Sequence, residues 1–164
     1  MKKTNAMRIL DGAHIFYETK EYSDDGEHEL ERGAAEEIAT KLGIDPAAVF
    51  KTIVMRTETK ELVVFCQSAL HEINLKKARE SCGAKEVSPV KPDELLQLTG
   101  YIRGGCSPIG MKRQFRTFID KSALTHEKIF ISAGIRGEQI ILAPQDLVTV
   151  TNATVTDLVL ETAF

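Results

Sequence analysis

This chain has little of what most catalytic chemistry is built from. Its 164 residues include three cysteines and four histidines. Cys66, Cys82 and Cys106 are an odd number at wide spacing, which makes neither a zinc pattern nor a disulfide framework. His14, His28, His71 and His126 are equally scattered, with no His-x-x-x-His pair. No metal and no cofactor is expected. Ser107 is followed by Pro108, so there is no Gly-x-Ser-x-Gly elbow, and the carboxylates form no distinct pair for acid–base work. No apolar run is long enough for a transmembrane helix. The basic start, residues 1–5, lacks the apolar stretch of a signal peptide, and a cytoplasmic location is expected. Repeats, low-complexity segments and linkers are missing too, so residues 1–164 read as one domain.

The composition is that of a soluble globular protein, 43% apolar and 27% charged. The net charge of −3 is unevenly spread. Residues 18–37 hold nine acids against Lys20 and Arg32, whereas residues 99–121 hold Arg103, Lys112, Arg113, Arg116 and Lys121 against Asp120 alone. A basic stretch in an acidic chain fits an anionic partner, and equally a solvated basic face.

Helical spacing of apolar residues predicts helices over 3–10, capped by Thr4 or Asn5, and over 33–42, ended by Gly43. Further helices are expected over 73–82 and 92–98, closed by Gly83 and by Thr99-Gly100. Strands are expected at 14–17, 49–55, 61–67, 85–87, 115–119, 129–132 and 139–142, with hairpin turns at 57–60 and 134–137. Pro144 opens a helical turn, and residues 148–160, rich in Val and Thr, fit either a strand or a helix. Hairpins mixed with longer crossovers predict an α/β or α+β domain around a mixed, largely antiparallel sheet.

Two features stand out as chemistry. Residues 99–110, Thr-Gly-Tyr-Ile-Arg-Gly-Gly-Cys-Ser-Pro-Ile-Gly, hold four glycines and a proline. This is a loop of set shape, either a plain connection or an amide-rich concavity for an anion or a carbonyl. The second is Lys51, the only ionisable group in an apolar strand whose alternation puts Val49, Lys51, Ile53 and Met55 on one face and Phe50, Thr52 and Val54 on the other. A lysine there either snorkels to a rim or serves a function, and two buried faces favour function. Arg136, in Gly134-Ile135-Arg136-Gly137, is placed to meet an anion or simply caps a hairpin. Cys106 is a weak candidate nucleophile, because no histidine is positioned as its base. Cys66 and Cys82 read as core.

Taken in order, Lys3-Thr4-Asn5-Ala6-Met7-Arg8, Val49-Phe50-Lys51-Thr52, Thr99-Gly100-Tyr101, Gly104-Gly105-Cys106-Ser107-Pro108-Ile109-Gly110 and Ser132-Ala133-Gly134-Ile135-Arg136-Gly137 resemble the YbaK family of aminoacyl-tRNA deacylases, relatives of the editing domain of prolyl-tRNA synthetase. Nearly the whole chain takes part, and the bacterial Cys-tRNA(Pro) deacylases resemble it best. The resemblance implies a mixed sheet curled toward a barrel with surrounding helices. It also implies a free-standing enzyme that cleaves the ester joining a wrong amino acid, cysteine above all, to tRNA(Pro). In cysteine-specific members the substrate's own thiol attacks the ester carbonyl.

Carried over residue by residue, the catalytic set is Lys51, Gly104, Gly105, Ser107 and Pro108. Tyr22, Thr52, Tyr101, Cys106, Ile109, Gly110, Gly134 and Arg136 are expected to line the substrate site, and the basic stretch offers Arg103, Lys112 and Arg113 for tRNA phosphates. The implied partners are aminoacyl-tRNA and prolyl-tRNA synthetase, not DNA or a membrane. The chain departs from many relatives at Cys106 (valine or isoleucine), Ile135 (a lysine or similar residue) and Gln139 (an acid). The basic stretch alone supports a second reading, a binding module for an aminoacyl-tRNA or nucleotide end, associated with a synthetase and without turnover.

Overall fold

The computed structural model describes residues 3–22 and 34–160. The polar loop expected at 23–27, and Gly33 as the start of a helix, therefore lie outside the described residues. In chain order come α1 (Asn5–Gly12), β1 (Glu18–Glu21), α2 (Ala34–Leu42), β2 (Phe50–Thr57), β3 (Leu62–Ser68), α3 (Leu75–Cys82), β4 (Val87–Pro89), α4 (Pro92–Thr99), β5 (Arg116–Asp120), β6 (Ile129–Ser132), β7 (Glu138–Leu142), α5 (Pro144–Thr151) and β8 (Thr154–Thr156).

Most boundaries follow local chemistry. The Thr4 hydroxyl accepts from the Met7 amide at 3.3 Å and caps α1, which buries Ala6, Met7 and Leu10. Asn74 caps α3 in the same way, and Gly43, Gly83 and Gly100 leave α2, α3 and α4 in left-handed conformations. Three expectations fail. The strand expected at 85–87 forms at Val87–Pro89 instead, because it is there that Thr57, Arg56 and Met55 of β2 offer partners. The helix expected over 3–10 begins at Asn5 and runs through Gly12, and the reversal falls on His14 at φ 58°. The strand expected at 14–17 does not form, and pairing starts at Glu18. The cause is the partner: Glu18 lies opposite Ile141, so Phe16 and Ile15 would face Ala143 and Pro144, where β7 has given way to α5 and a proline offers no amide. Ile15 and Tyr17 instead pack on the core. The segment left open at 148–160 is both things in turn: α5 continues to Thr151, Asn152 ends it at φ 54°, and β8 follows.

The strands form two sheets, β1-β7-β6 and β4-β2-β3-β5-β8. Four pairings are antiparallel; β3–β5 and β5–β8 are parallel. Among the described residues one isolated parallel bridge, Val49–Phe130, joins the sheets, from the residue just before β2 to β6. The inner face carries Phe50, Val54, Val64, Cys66, Ile119, Ile129, Ile131, Ile140 and Leu142, packed with α1, α5 and the glycine loop. The outer face bears two smaller clusters. One, with Val49, Phe130 and Ile141, lies under α2; the other, with Met55, Phe65 and Phe118, lies under α3.

The glycine loop is pinned at both ends. The Lys112 amide donates to the Thr99 carbonyl at 2.9 Å. The Tyr101 hydroxyl, buried in the core, donates to the Ile109 carbonyl at 2.6 Å, and Asn5 of α1 donates to the Gly110 carbonyl at 2.7 Å. Gly110 sits at φ +81°, and a Cβ there would lie 2.8 Å from the Tyr101 oxygen, so only glycine fits the crossing. Tyr101→Phe leaves the Ile109 carbonyl unpaired in the core; the expected loss is about 1–3 kcal/mol in urea unfolding, with an unchanged far-UV spectrum.

Candidate functional site

Strand alternation puts Lys51 on the outer face, between Val49 of the α2 cluster and Ile53 and Met55 of the α3 cluster. Its neighbour Thr52 points inward, where its hydroxyl lies 3.8 Å from Cys66 Sγ. Lys51 is half-buried and forms no hydrogen bond or ion pair with a described residue. Burial holds its ammonium below the usual lysine pKa, and the negative charge of Glu72 pulls the other way.

Register places polar groups beside it. Gln67 is its cross-strand partner on β3. Ser132 pairs with Gln139 on β7, and Gln139 with Lys20 on β1. Two residues beyond the Val49–Phe130 bridge, along parallel strands, stand Lys51 and Ser132. Gln139, Ser132, Lys51 and Gln67 thus form a polar row across the seam between the sheets.

The glycine loop reaches this row through the turn that follows β6. A Cβ on Gly105 would lie 3.1 Å from the Arg136 nitrogen and the Ile135 carbonyl carbon, so loop and turn meet backbone to backbone. Arg136 Nε donates to the Arg103 carbonyl at 2.9 Å, and the Tyr22 amide donates to the Gly137 carbonyl at 2.9 Å. Gly134, at φ +105°, leaves room for Tyr101. The amides of Gly105 and Ile109 are taken, by the Ile102 carbonyl and the Ser107 hydroxyl. Those of Gly104, Cys106 and Ser107 make no hydrogen bond to a described residue.

The expected residues therefore divide. Lys51, Tyr22, Gly134, Arg136, Gly104 and Gly105 gather around the seam and its adjoining turn. Tyr101, Cys106, Ser107, Pro108 and Ile109 are buried and shape the loop from inside, with Gly110 at its crossing. Burial pushes the Cys106 thiol up to about 12 and the Cys66 thiol likewise to about 12, so neither is a thiolate at neutral pH. Arg103, Lys112 and Arg113 are exposed, with Lys112 Nζ donating to the Gln97 carbonyl at 3.1 Å. Gln67 and Glu72 escaped the reading of the sequence. The 57–60 turn fixes the hairpin register, and counting back from it sets Gln67 opposite Lys51.

Residues 29–150 match the aminoacyl-tRNA editing domain family. The chain is 40% identical over 151 residues, 92% of its length and 90% of the relative's, to EbsC of Enterococcus faecalis, named provisionally for Cys-tRNA(Pro)/Cys-tRNA(Cys) deacylation. It is 29% identical over 111 residues to the proline–tRNA ligase of Leptospira interrogans serovar copenhageni, covering 68% of this chain and 18% of that enzyme. Among solved structures, a protein described as a candidate trans-editing enzyme for prolyl-tRNA synthetase superposes with a TM-score of 0.82 at 22% identity, over 98% of this chain and all of the other. The hypothetical protein APE2540 gives 0.83 at 19% identity, over 94% and 99% of the two chains.

With a lowered folded pKa, Lys51 releases its proton before the ordinary lysine value of 10.5 is reached. The burial penalty is present at neutral pH and fades as pH rises toward 10.5. Lysine-selective carbon-13 NMR is expected to give Lys51 a midpoint below 10.5, and Glu72→Gln to move it further down. A midpoint at or above the ordinary value refutes the assignment.

Proposed function

We propose that this chain, a member of the aminoacyl-tRNA editing domain family and an aminoacyl-tRNA deacylase, acts in trans to remove cysteine wrongly attached to tRNA(Pro). The observation that carries this reading is Lys51, a half-buried ammonium without a described partner beside the turn on which the glycine loop packs.

In this reading Lys51 holds an oxygen of the terminal nucleotide, the amides at Gly104 and Cys106 take up the charge that grows on the ester carbonyl oxygen, and Ser107, wholly buried, holds the loop by accepting from the Ile109 amide. Gly105 lets the loop lie against the Ile135–Arg136 backbone and so sets the distance between these groups. Tyr22, Gly134 and Arg136 border the aminoacyl group. Thr52, Tyr101, Cys106, Pro108, Ile109 and Gly110 fix the loop and floor from within. Arg103, Lys112 and Arg113 meet phosphates of the acceptor stem, where neutralised charge supplies affinity without sequence readout.

No side chain of the chain is asked to be the nucleophile. The cysteinyl thiol attacks its own carbonyl; the sulfur–carbon bond forms as the carbon–oxygen bond to the ribose breaks, and the thiol proton ends on the released ribose oxygen. The protein contributes position and electrostatics. Prolyl-tRNA synthetase is the proposed partner that ties the activity to tRNA(Pro).

The test loads tRNA(Pro) separately with cysteine, alanine and proline and follows ester loss at catalytic protein concentration. Loss of cysteine alone supports the proposal. Loss of alanine instead moves the mechanism from the substrate thiol to a hydroxyl or water, and protection of every ester marks a binding module. Lys51→Met is expected to lower the single-turnover rate about 100-fold, the scale of a lost transition-state donor. Its melting temperature is expected to equal or exceed the parent's, because a costly buried ammonium is gone.

A further inference from the structure

Four buried side-chain atoms lack a hydrogen-bond partner among the described residues: Gln67 Oε1, Ser122 Oγ, Glu138 Oε1 and Gln139 Oε1. Two of the four belong to the polar row, one on each side of Ser132 and Lys51. Gln67 is fully buried and Gln139 is 5% exposed. The orientation of the Gln67 amide is fixed, because its Nε2 donates to the His71 carbonyl at 2.7 Å, leaving the oxygen as the free atom. Buried acceptors are rarely left unpaired.

Gln67 is paired in register with Lys51, whose own ammonium forms no hydrogen bond or ion pair with a described residue and feels only the more distant charge of Glu72. Side chains directly opposite on an antiparallel pair have Cβ atoms about 5 Å apart. An idle acceptor and an idle donor thus stand close on one face, in a seam between apolar clusters. The group that answers both at once accepts a hydrogen bond and donates one. A phosphate oxygen only accepts, and a substrate ammonium only donates, whereas a hydroxyl does both. An aminoacylated RNA end offers such a group next to the reacting bond: the free vicinal hydroxyl of the terminal ribose.

We propose that Lys51 and Gln67 together bind that hydroxyl, the lysine donating to it and the Gln67 oxygen accepting from it. Gln67 thereby becomes a specificity-determining residue that distinguishes a ribose end from a deoxyribose end, as a hydroxyl contact can. This rests on the deacylase reading and adds to it a residue and a feature of the substrate.

The experiment compares single-turnover deacylation of a substrate ending in adenosine with one ending in 2′-deoxyadenosine, for the parent protein, Gln67→Leu and Gln67→Met. The parent is expected to prefer the ribose substrate, and both variants to shrink that preference about 10-fold, the scale of one hydrogen bond. A preference unchanged in the variants overturns the proposal, because a glutamine that only supports the fold or Lys51 slows both substrates alike. A parent inactive on the ribose substrate refutes the deacylase reading instead. A second measurement needs no variant. The Gln67 side-chain amide resonance is expected to shift on adding an RNA trinucleotide ending in adenosine, and not with its 2′,3′-dideoxyadenosine counterpart; equal shifts, or none, count against the proposal.

Discussion

β2 is hydrogen-bonded to β3 along one edge, to β4 on the other, and through Val49 it touches β6 of the second sheet. A strand held from so many sides cannot slip. A shift of one residue would send Phe50 and Val54 out of the main core and drive the Lys51 ammonium into it. The period-two alternation of eight residues therefore decides three things together: what fills the interior, what α2 and α3 cover, and where the unpaired cation emerges. The glycine loop depends on the same alternation, because Cys106 and Tyr101 pack in the cluster that holds Phe50 and Val54.

The site combines two kinds of economy. In the proposed reading its donors are mostly backbone amides on a loop held by buried hydrogen bonds, so they need no rearrangement to receive charge. Its charged side chain sits where burial makes the ammonium costly, and a ligand oxygen relieves that cost. Such a site favours binding of an anionic or polarised group over the empty state, while the buried thiols at Cys66 and Cys106 are kept protonated and chemically quiet. The exposed cations Arg103, Lys112 and Arg113 lie on the glycine loop or just after it, so in the proposed reading phosphate contacts and carbonyl contacts fall to one short stretch of chain.

Much of this was legible in the sequence because it is encoded locally. Alternation along β2, the glycines that close helices, and the turns at 57–60 and 134–137 depend on neighbouring residues alone. What failed was non-local. Ile15, Phe16 and Tyr17 have the propensity of a strand, yet propensity cannot show that Phe16 and Ile15 would face Ala143 and Pro144, where β7 has already given way to α5. The fate of residues 148–160 hung on β5 offering a parallel edge to β8. At the site, Lys51 and the glycine loop stood out as isolated oddities. Gln67 did not, since a glutamine at the end of an apolar strand looks like an exit to solvent until its pairing with Lys51 is counted out.

The seam between the sheets has a consequence for how the protein comes into being. The β2–β3 and β6–β7 hairpins close over short stretches of chain and need little loop entropy. The row from Gln139 to Gln67 exists only after the two sheets dock, across a junction with one backbone bridge. Synthesis must therefore pass Leu142 before the row is assembled, and a half-made molecule has hairpins without it. A ligand bound across the row, as proposed above, would clasp the docked arrangement by stabilising the one state in which both halves of the row face it.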